Sequence, residues 1–157
     1  LRSEATKTNC VAERSQVSII HLAVHGTFDP DKPLDSSLLL SGDKVSDGLL
    51  TSADLYCLSL HADLVVLSAC ETALGKVASG DDVIGFTRGF LYAGAGSLIS
   101  SLWQVDDQAT HDLMVDFYSN RKTMPKDESL RQAQIKVKQK YPHPFYWAAF
   151  LLTGNAL

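Results

Sequence analysis

Apolar positions along this 157-residue chain gather into blocks of two kinds, unbroken runs and helically spaced stripes. Leu64-Val65-Val66-Leu67 is an unbroken, partly β-branched run that stops on Ser68-Ala69-Cys70, and it reads as a strand buried on both faces. A second run, residues 17–24, ends on His25-Gly26, and a third, residues 97–103, ends on Gln104-Val105-Asp106-Asp107. Residues 37–40 form a short strand, and the aromatic and apolar block 145–152 is expected to be the last one. Helical spacing runs through Ile84, Phe86, Phe90 and Leu91, and again through Leu113, Val115, Phe117 and Tyr118.

The polar residues punctuate these blocks. Asp81-Asp82 suits a helix start, Gly94 and Gly96 its end, and Pro125 separates the next helix from another over about 127–140. Thr51 followed by Asp54 resembles a capping pair, which predicts a short helix over 52–58. Ser41-Gly42-Asp43 and Asp47-Gly48 mark turns of a hairpin-like excursion, and Pro30 and Pro33 make 29–35 a loop. The polar stretch 4–14 reads as a helix, and 71–79 as a glycine-containing loop. Strands and helices alternate, which predicts an α/β fold of parallel βαβ units with helices on both sheet faces.

Composition narrows the classes. The length suits a single domain with a hydrophobic core, and a net charge of −4 with no basic stripe speaks against a nucleic-acid partner. No apolar run approaches membrane-spanning length, and no signal peptide opens the chain, so no membrane partner is expected. Cys10, Cys57 and Cys70 are odd in number and scattered, which argues for a reducing, cytoplasmic setting. Because the first residue is Leu1, the chain is expected to be a segment of something longer. Nucleotide-binding and serine-hydrolase signatures are absent from the sequence.

Candidate chemistry lies where the runs stop. A thiol at the end of a buried strand is rigidly held and reachable from the sheet edge, where open α/β sheets place their working residues. Cys70 in that position is either a buried packing residue or a nucleophile. Of five histidines, only His25 ends a strand and precedes a glycine. His21 shares its sheet face by the period of two, so a two-histidine metal site is conceivable, but no supporting ligand cluster accompanies it. On adjacent parallel strands His25 and Cys70 would emerge at one edge, close enough for the imidazole to manage the thiol proton. Gly26 would let a backbone N–H approach a substrate carbonyl oxygen. Asp106 and Asp107 either cap the following helix or form an acidic pocket selecting a basic side chain.

Seven ordered blocks carry a resemblance. His25-Gly26-x-Phe28-Asp29, Leu34-x-Ser36-x-Leu38, Leu67-Ser68-Ala69-Cys70-Glu71-Thr72 and Phe90-Leu91-Tyr92-Ala93-Gly94-Ala95 are four of them. Ser101-Leu102-Trp103-x-Val105-Asp106-Asp107-x-Ala109-Thr110, Leu130-Arg131-x-Ala133-Gln134 and Tyr146-Trp147-Ala148-Ala149-Phe150 complete the set. Together they resemble the CHAT family, caspase-like cysteine peptidase domains related to separase and commonly found behind tetratricopeptide repeats.

That resemblance implies one domain over residues 1–157, at the carboxyl-terminal end of a larger protein. It implies a caspase–haemoglobinase-like three-layer αβα sandwich with a mostly parallel central sheet. The family's first strand would precede residues 4–14, and this chain starts too late to supply it. It further implies a cysteine endopeptidase with His25 and Cys70 as the catalytic pair, and with the backbone N–H groups of Gly26 and Cys70 as the oxyanion hole. Asp107, with Asp106 in reserve, would line a pocket for a basic residue. No metal or organic cofactor is implied; the implied partners are a protein or peptide substrate and an upstream repeat region or regulatory partner. A glycine usual in the family is replaced by Asp82. The alternative is a catalytically inactive interaction module of the same fold.

Overall fold

The computed structural model describes residues 6–8, 17–27, 29, 31–71 and 81–157, with the backbone alone at 69–71 and 81–84. Its strands are β1 (Ile19–Thr27), β2 (Ser37–Leu39), β3 (Leu49–Thr51), β4 (Leu64–Glu71), β5 (Ser97–Ser101) and β6 (Phe150–Gly154). Its helices are α1 (Ser52–Leu55), α2 (Asp81–Tyr92), α3 (Asp107–Asn120) and α4 (Lys126–Lys140), with 3-10 turns at Pro33–Asp35 and Pro144–Tyr146. Most of the expected helix over 4–14 and all of the loop over 72–80 lie outside the described residues.

The strands form one sheet in the order β3-β2-β1-β4-β5-β6. β4 pairs in parallel with β1 and with β5, whereas β1–β2, β2–β3 and β5–β6 are antiparallel. The sheet is therefore mixed, not mostly parallel as the alternation of elements predicts. Two local causes account for the difference. The β2–β3 hairpin folds back through a polar turn in which the Asp43 carboxylate accepts the N–H groups of Val45 and Ser46. Between β5 and β6 the chain runs through two helices rather than one. A helical pair returns the chain to the end it left from, so β6 enters antiparallel.

The last strand also starts later than its aromatic content predicts. His143 caps the 3-10 turn at Pro144–Tyr146, its ring nitrogen accepting the Phe145 N–H, and β6 begins only at Phe150. Aromatic composition signals burial, not extension. Tyr141 and Tyr146 stack at 5.3 Å instead of pairing across a sheet.

Period-two alternation divides the core. Val65, Leu67, Leu22 and Leu98 face α1 and α2, packing with Leu55, Phe86 and Phe90. Leu64, Val66 and Ile99 face α3 and α4, packing with Leu113, Phe117, Leu130 and Val137. Helices thus lie on both faces, and β4, covered on each, is the continuous apolar run its sequence announces. At α1 the capping box is complete, Asp54 N–H donating to Thr51 Oγ1 (3.1 Å) and Thr51 N–H to Asp54 Oδ2 (2.8 Å). α2 ends at Gly94, which adopts φ +103° while Ala95 N–H donates to Phe90 O and Gly94 N–H to Leu91 O. That geometry is a Schellman cap, and it returns the chain directly to β5.

Candidate active site

β1 is an inner strand with an uneven environment. Leu22 and Gly26 are buried and Ile20 and Val24 half-buried, while Ile19, His21, Ala23 and His25 on the other face are exposed. The α3–α4 layer covers β4, β5 and β6 but stops short of β1. A cleft of about 770 Å³ results, bounded by β1 on one side and α3 on the other.

α3 contributes a single stripe to this cleft. Asp107, Thr110, His111, Met114, Val115 and Tyr118 follow one another at intervals of three, one, three, one and three, the spacing of one helix face. The opposite face, with Ala109, Leu113 and Phe117, is buried in the core. His25 stands on the cleft, and so does Ser68 of β4. The cleft falls within the range of small-molecule and side-chain pockets and carries the usual mixture of apolar walls and few polar groups.

The parallel register of β1 and β4 aligns Ala23 with Ser68, His25 with Cys70 and Gly26 with Glu71. In a parallel ladder, registered residues share a sheet face, so His25 and Cys70 occupy neighbouring positions on the side that α3 borders. Cys70 has only its backbone described. Gly26 is buried between β4 and β2, registered with Glu71 and with Leu38. Phe28, beside it in the sequence, lies outside the described residues.

The two neighbouring aspartates separate by role. Asp106 is the N-cap of α3, its Oδ1 accepting the Ala109 N–H at 2.9 Å. Asp107, the first helical residue, is exposed and lines the cleft. The remaining histidines also part company. His21 Nδ1 lies 2.9 Å from the Tyr118 hydroxyl, tying β1 to the end of α3. Although His21 is exposed overall, partial shielding of its ring from water, with Tyr118 packed against it, holds the imidazole below the ordinary value, and partial shielding raises the Tyr118 phenol. His111 sits on the cleft wall, 3.5 Å from Asp112; His61 is exposed and His143 caps its own turn. Among the described residues no group of three or more histidine, cysteine, aspartate or glutamate side chains could hold a metal ion. Cys57 is a free, exposed cysteine after α1, remote from these elements in the fold, and Cys10 lies outside the described residues.

Ser68, Thr110, His111 and Tyr118 line the cleft although the sequence reading did not single them out for it. The signal was available on the helix, where positions 107, 110, 111, 114, 115 and 118 fall on one face. Nothing in the pattern said that this face would be left uncovered.

Comparison with known proteins adds the family. The CHAT domain family matches residues 1–155. The chain is 30% identical over 190 residues to human tetratricopeptide repeat protein 28, covering 98% of this chain and 8% of that protein. It is 38% identical over 110 residues to the mouse protein of the same name, covering 68% of this chain and 4% of that one. The chain therefore spans less than a tenth of the length of these relatives. No helix among the described residues is long and apolar enough to cross a membrane.

Proposed function

This chain belongs to the CHAT family, and from that premise we propose that it is a caspase-like cysteine endopeptidase domain whose catalytic pair is His25 and Cys70. The observation that carries the reading is the register of β1 and β4, which pairs those two positions beside a cleft large enough for a substrate side chain. A domain of this family within proteins named for tetratricopeptide repeats fits a role downstream of such repeats, with a protein or peptide as substrate.

In the proposed reaction the Cys70 thiolate attacks the carbonyl carbon of the scissile bond, forming a C–S bond and an oxyanion. Backbone N–H groups of Gly26 and Cys70 receive that charge. The His25 imidazolium gives its proton to the leaving amine, the C–N bond breaks, and a thioester remains. His25 then takes a proton from water, the hydroxide forms the C–O bond, the C–S bond breaks, and the acid product leaves. Asp107 on the cleft wall directs the enzyme to a basic residue before the scissile bond. Asp106 is committed to capping α3.

The test is labelling by peptidyl acyloxymethyl ketones, from which a reactive thiolate displaces a carboxylate. Labelling is expected to survive Cys57→Ala and to vanish in Cys70→Ala and His25→Ala. Equal labelling of the Cys70→Ala and Cys57→Ala variants refutes the peptidase and leaves the inactive interaction module.

A further inference from the structure

His25 is exposed on the open face of β1, so the place of its imidazole depends on how the strand's backbone is held at its edges. β4 holds one edge, pairing as far as Gly26 with Glu71. β2 holds the other, and because it is only three residues long its grip covers His25, Gly26 and Thr27 alone.

One side chain extends that grip past the end of the ladder. Ser36 Oγ accepts the Asp29 N–H at 3.0 Å, two residues beyond Thr27 and one residue before β2 starts. Ser36 is a fixed point: it is 2% exposed, and its carbonyl oxygen accepts the N–H of Ser52 in α1 at 2.8 Å. Asp29 shapes the loop from the other side. Its Oδ1 accepts the N–H groups of Asp31 and Lys32 at 2.9 and 3.0 Å, a turn that starts the return towards Ser36. Asp35 N–H then donates to Lys32 O at 2.9 Å in the 3-10 turn that delivers Ser36 to β2. The buried hydroxyl therefore ties the continuation of β1 to a point already anchored on α1.

We infer that Ser36 is a positioning residue: by holding Asp29, its hydroxyl fixes the end of β1 and with it the His25 imidazole beside Cys70. The inference rests on the peptidase reading, because what is positioned is the base of that reaction. Ser36 acts through the strand and touches no reacting atom. Removing its oxygen leaves the Asp29 N–H without this acceptor and loosens the backbone four residues from His25. A displacement of about 1 Å between reacting groups costs on the order of 10²-fold in rate, so a partial loosening is enough to be read.

The test is the pH dependence of iodoacetamide alkylation at Cys70, followed by mass spectrometry of its peptide, with urea unfolding of the same preparations. A well-placed His25 imidazolium stabilises the thiolate, so the parent is expected to show a midpoint below the free-thiol value of about 8.5. His25→Ala is expected to raise that midpoint towards the free-thiol value. Ser36→Ala is expected to raise it too, with labelling by the peptidyl acyloxymethyl ketone slowed about tenfold. A merely structural role lowers the urea midpoint and leaves the pH midpoint where it was. Asp29 supplies a second pair of variants at a less buried position. Asp29→Ala removes the acceptor that shapes the turn and is expected to shift the profile, whereas Asp29→Asn keeps an acceptor oxygen and is expected to retain it; both lose the charge. The other titratable groups lining the cleft, His21, Asp107, His111 and Tyr118, are unaltered in every variant. If Ser36→Ala does not fold, the Asp29 pair decides. A midpoint raised by His25→Ala but by neither Ser36→Ala nor Asp29→Ala overturns the positioning role and leaves the peptidase reading standing. Coincident profiles for the parent and His25→Ala overturn the peptidase reading, and this inference with it.

Discussion

Replacing Asp106 and Asp107 one at a time separates a structural carboxylate from a functional one at adjacent positions. Asp106 Oδ1 accepts the Ala109 N–H at 2.9 Å, so Asp106→Ala leaves an N-terminal donor of α3 without its partner. Loss of such a cap costs about 1 kcal/mol. For a domain of this size that lowers Tm by roughly 2–4 °C. Asp107 makes no capping contact, and its carboxylate contributes only through the helix dipole, roughly 0.3–1 kcal/mol at low salt and less once screened. Asp107→Asn is therefore expected to unfold within about 1 °C of the parent at physiological salt. The order reverses for selectivity. A charge-assisted hydrogen bond of roughly 1.5–3 kcal/mol to a basic side chain corresponds to a loss of about 10- to 100-fold in the arginine-to-norleucine labelling ratio, the rate with an acyloxymethyl ketone probe carrying arginine next to the reactive carbonyl over that with norleucine. Asp107→Asn should show that loss, and Asp106→Ala should leave the ratio within about threefold of the parent. Thermal melts and labelling rates on the same preparations give both readouts. If Asp106→Ala lowers the ratio and Asp107→Asn does not, the division of roles drawn from α3 is wrong.

Other expectations come from the packing around the cleft. Lys126 Nζ is fully buried, 2.6 Å from Asp63 Oδ1 and 3.4 Å from Asn155 O; Asp63→Ala should cost about 3 kcal/mol in urea unfolding, more than Lys126→Met, because it strands a buried cation. Gly94→Ala should cost at least ~1–2 kcal/mol, since φ is +103° and a Cβ there collides with Leu60 O; a neutral result would disprove the strain. Partial shielding from water depresses the His21 pKa, so its contribution to stability is complete above the ordinary imidazole value of about 6.5 and is lost as pH falls from there through the depressed value. His21→Gln should therefore flatten part of the decline in urea midpoint between pH 7.5 and 5, and an unchanged profile would count against it. Ala23→Leu extends a side chain into the cleft from the exposed face of β1, so labelling by either probe should fall at least tenfold while the urea midpoint stays within about 0.5 kcal/mol of the parent.

What could be read from the chain and what could not divide along physical lines. β4 was legible because a strand covered on both faces must be apolar at every position, and Leu64, Val65 and Val66 are all completely buried. The capping box at Thr51 and Asp54 and the cap at Gly94 were legible because each is a local interaction written within a few residues. The sense of β2, β3 and β6 was not. Strand direction depends on how many elements separate two strands, and Pro125 marks a boundary between helices without saying that both pack on one face. The pairing of His25 with Cys70 follows from two strands ending at one edge, which alternation suggested and the register aligns. Ser68 and Thr110 stand in the blocks that carry the resemblance but drew no role of their own, because serine and threonine are ordinary surface residues. Only the closing of packed elements around them leaves their hydroxyl oxygens shielded from solvent without a hydrogen-bond partner.

The unequal covering of β1 and β4 bears on how such a site works. Over Val65–Leu67, β4 is held on both faces and on both edges, and from there it runs on to Cys70 paired with β1. β1 is held on both edges but on one face only, with Leu22 in the core and His21, Ala23 and His25 turned towards the cleft. Side chains on that open face contribute little to the core, so they are free to be selected for contact with a ligand. For the proposed reaction the first condition suits a nucleophile, because a strand anchored in the core limits the movement of the backbone that carries it. The second suits the base and binding wall of that proposal, because an exposed His25 imidazole and an uncovered helix stripe leave room between them. Covering β1 with a further helix would add stability and remove the cleft.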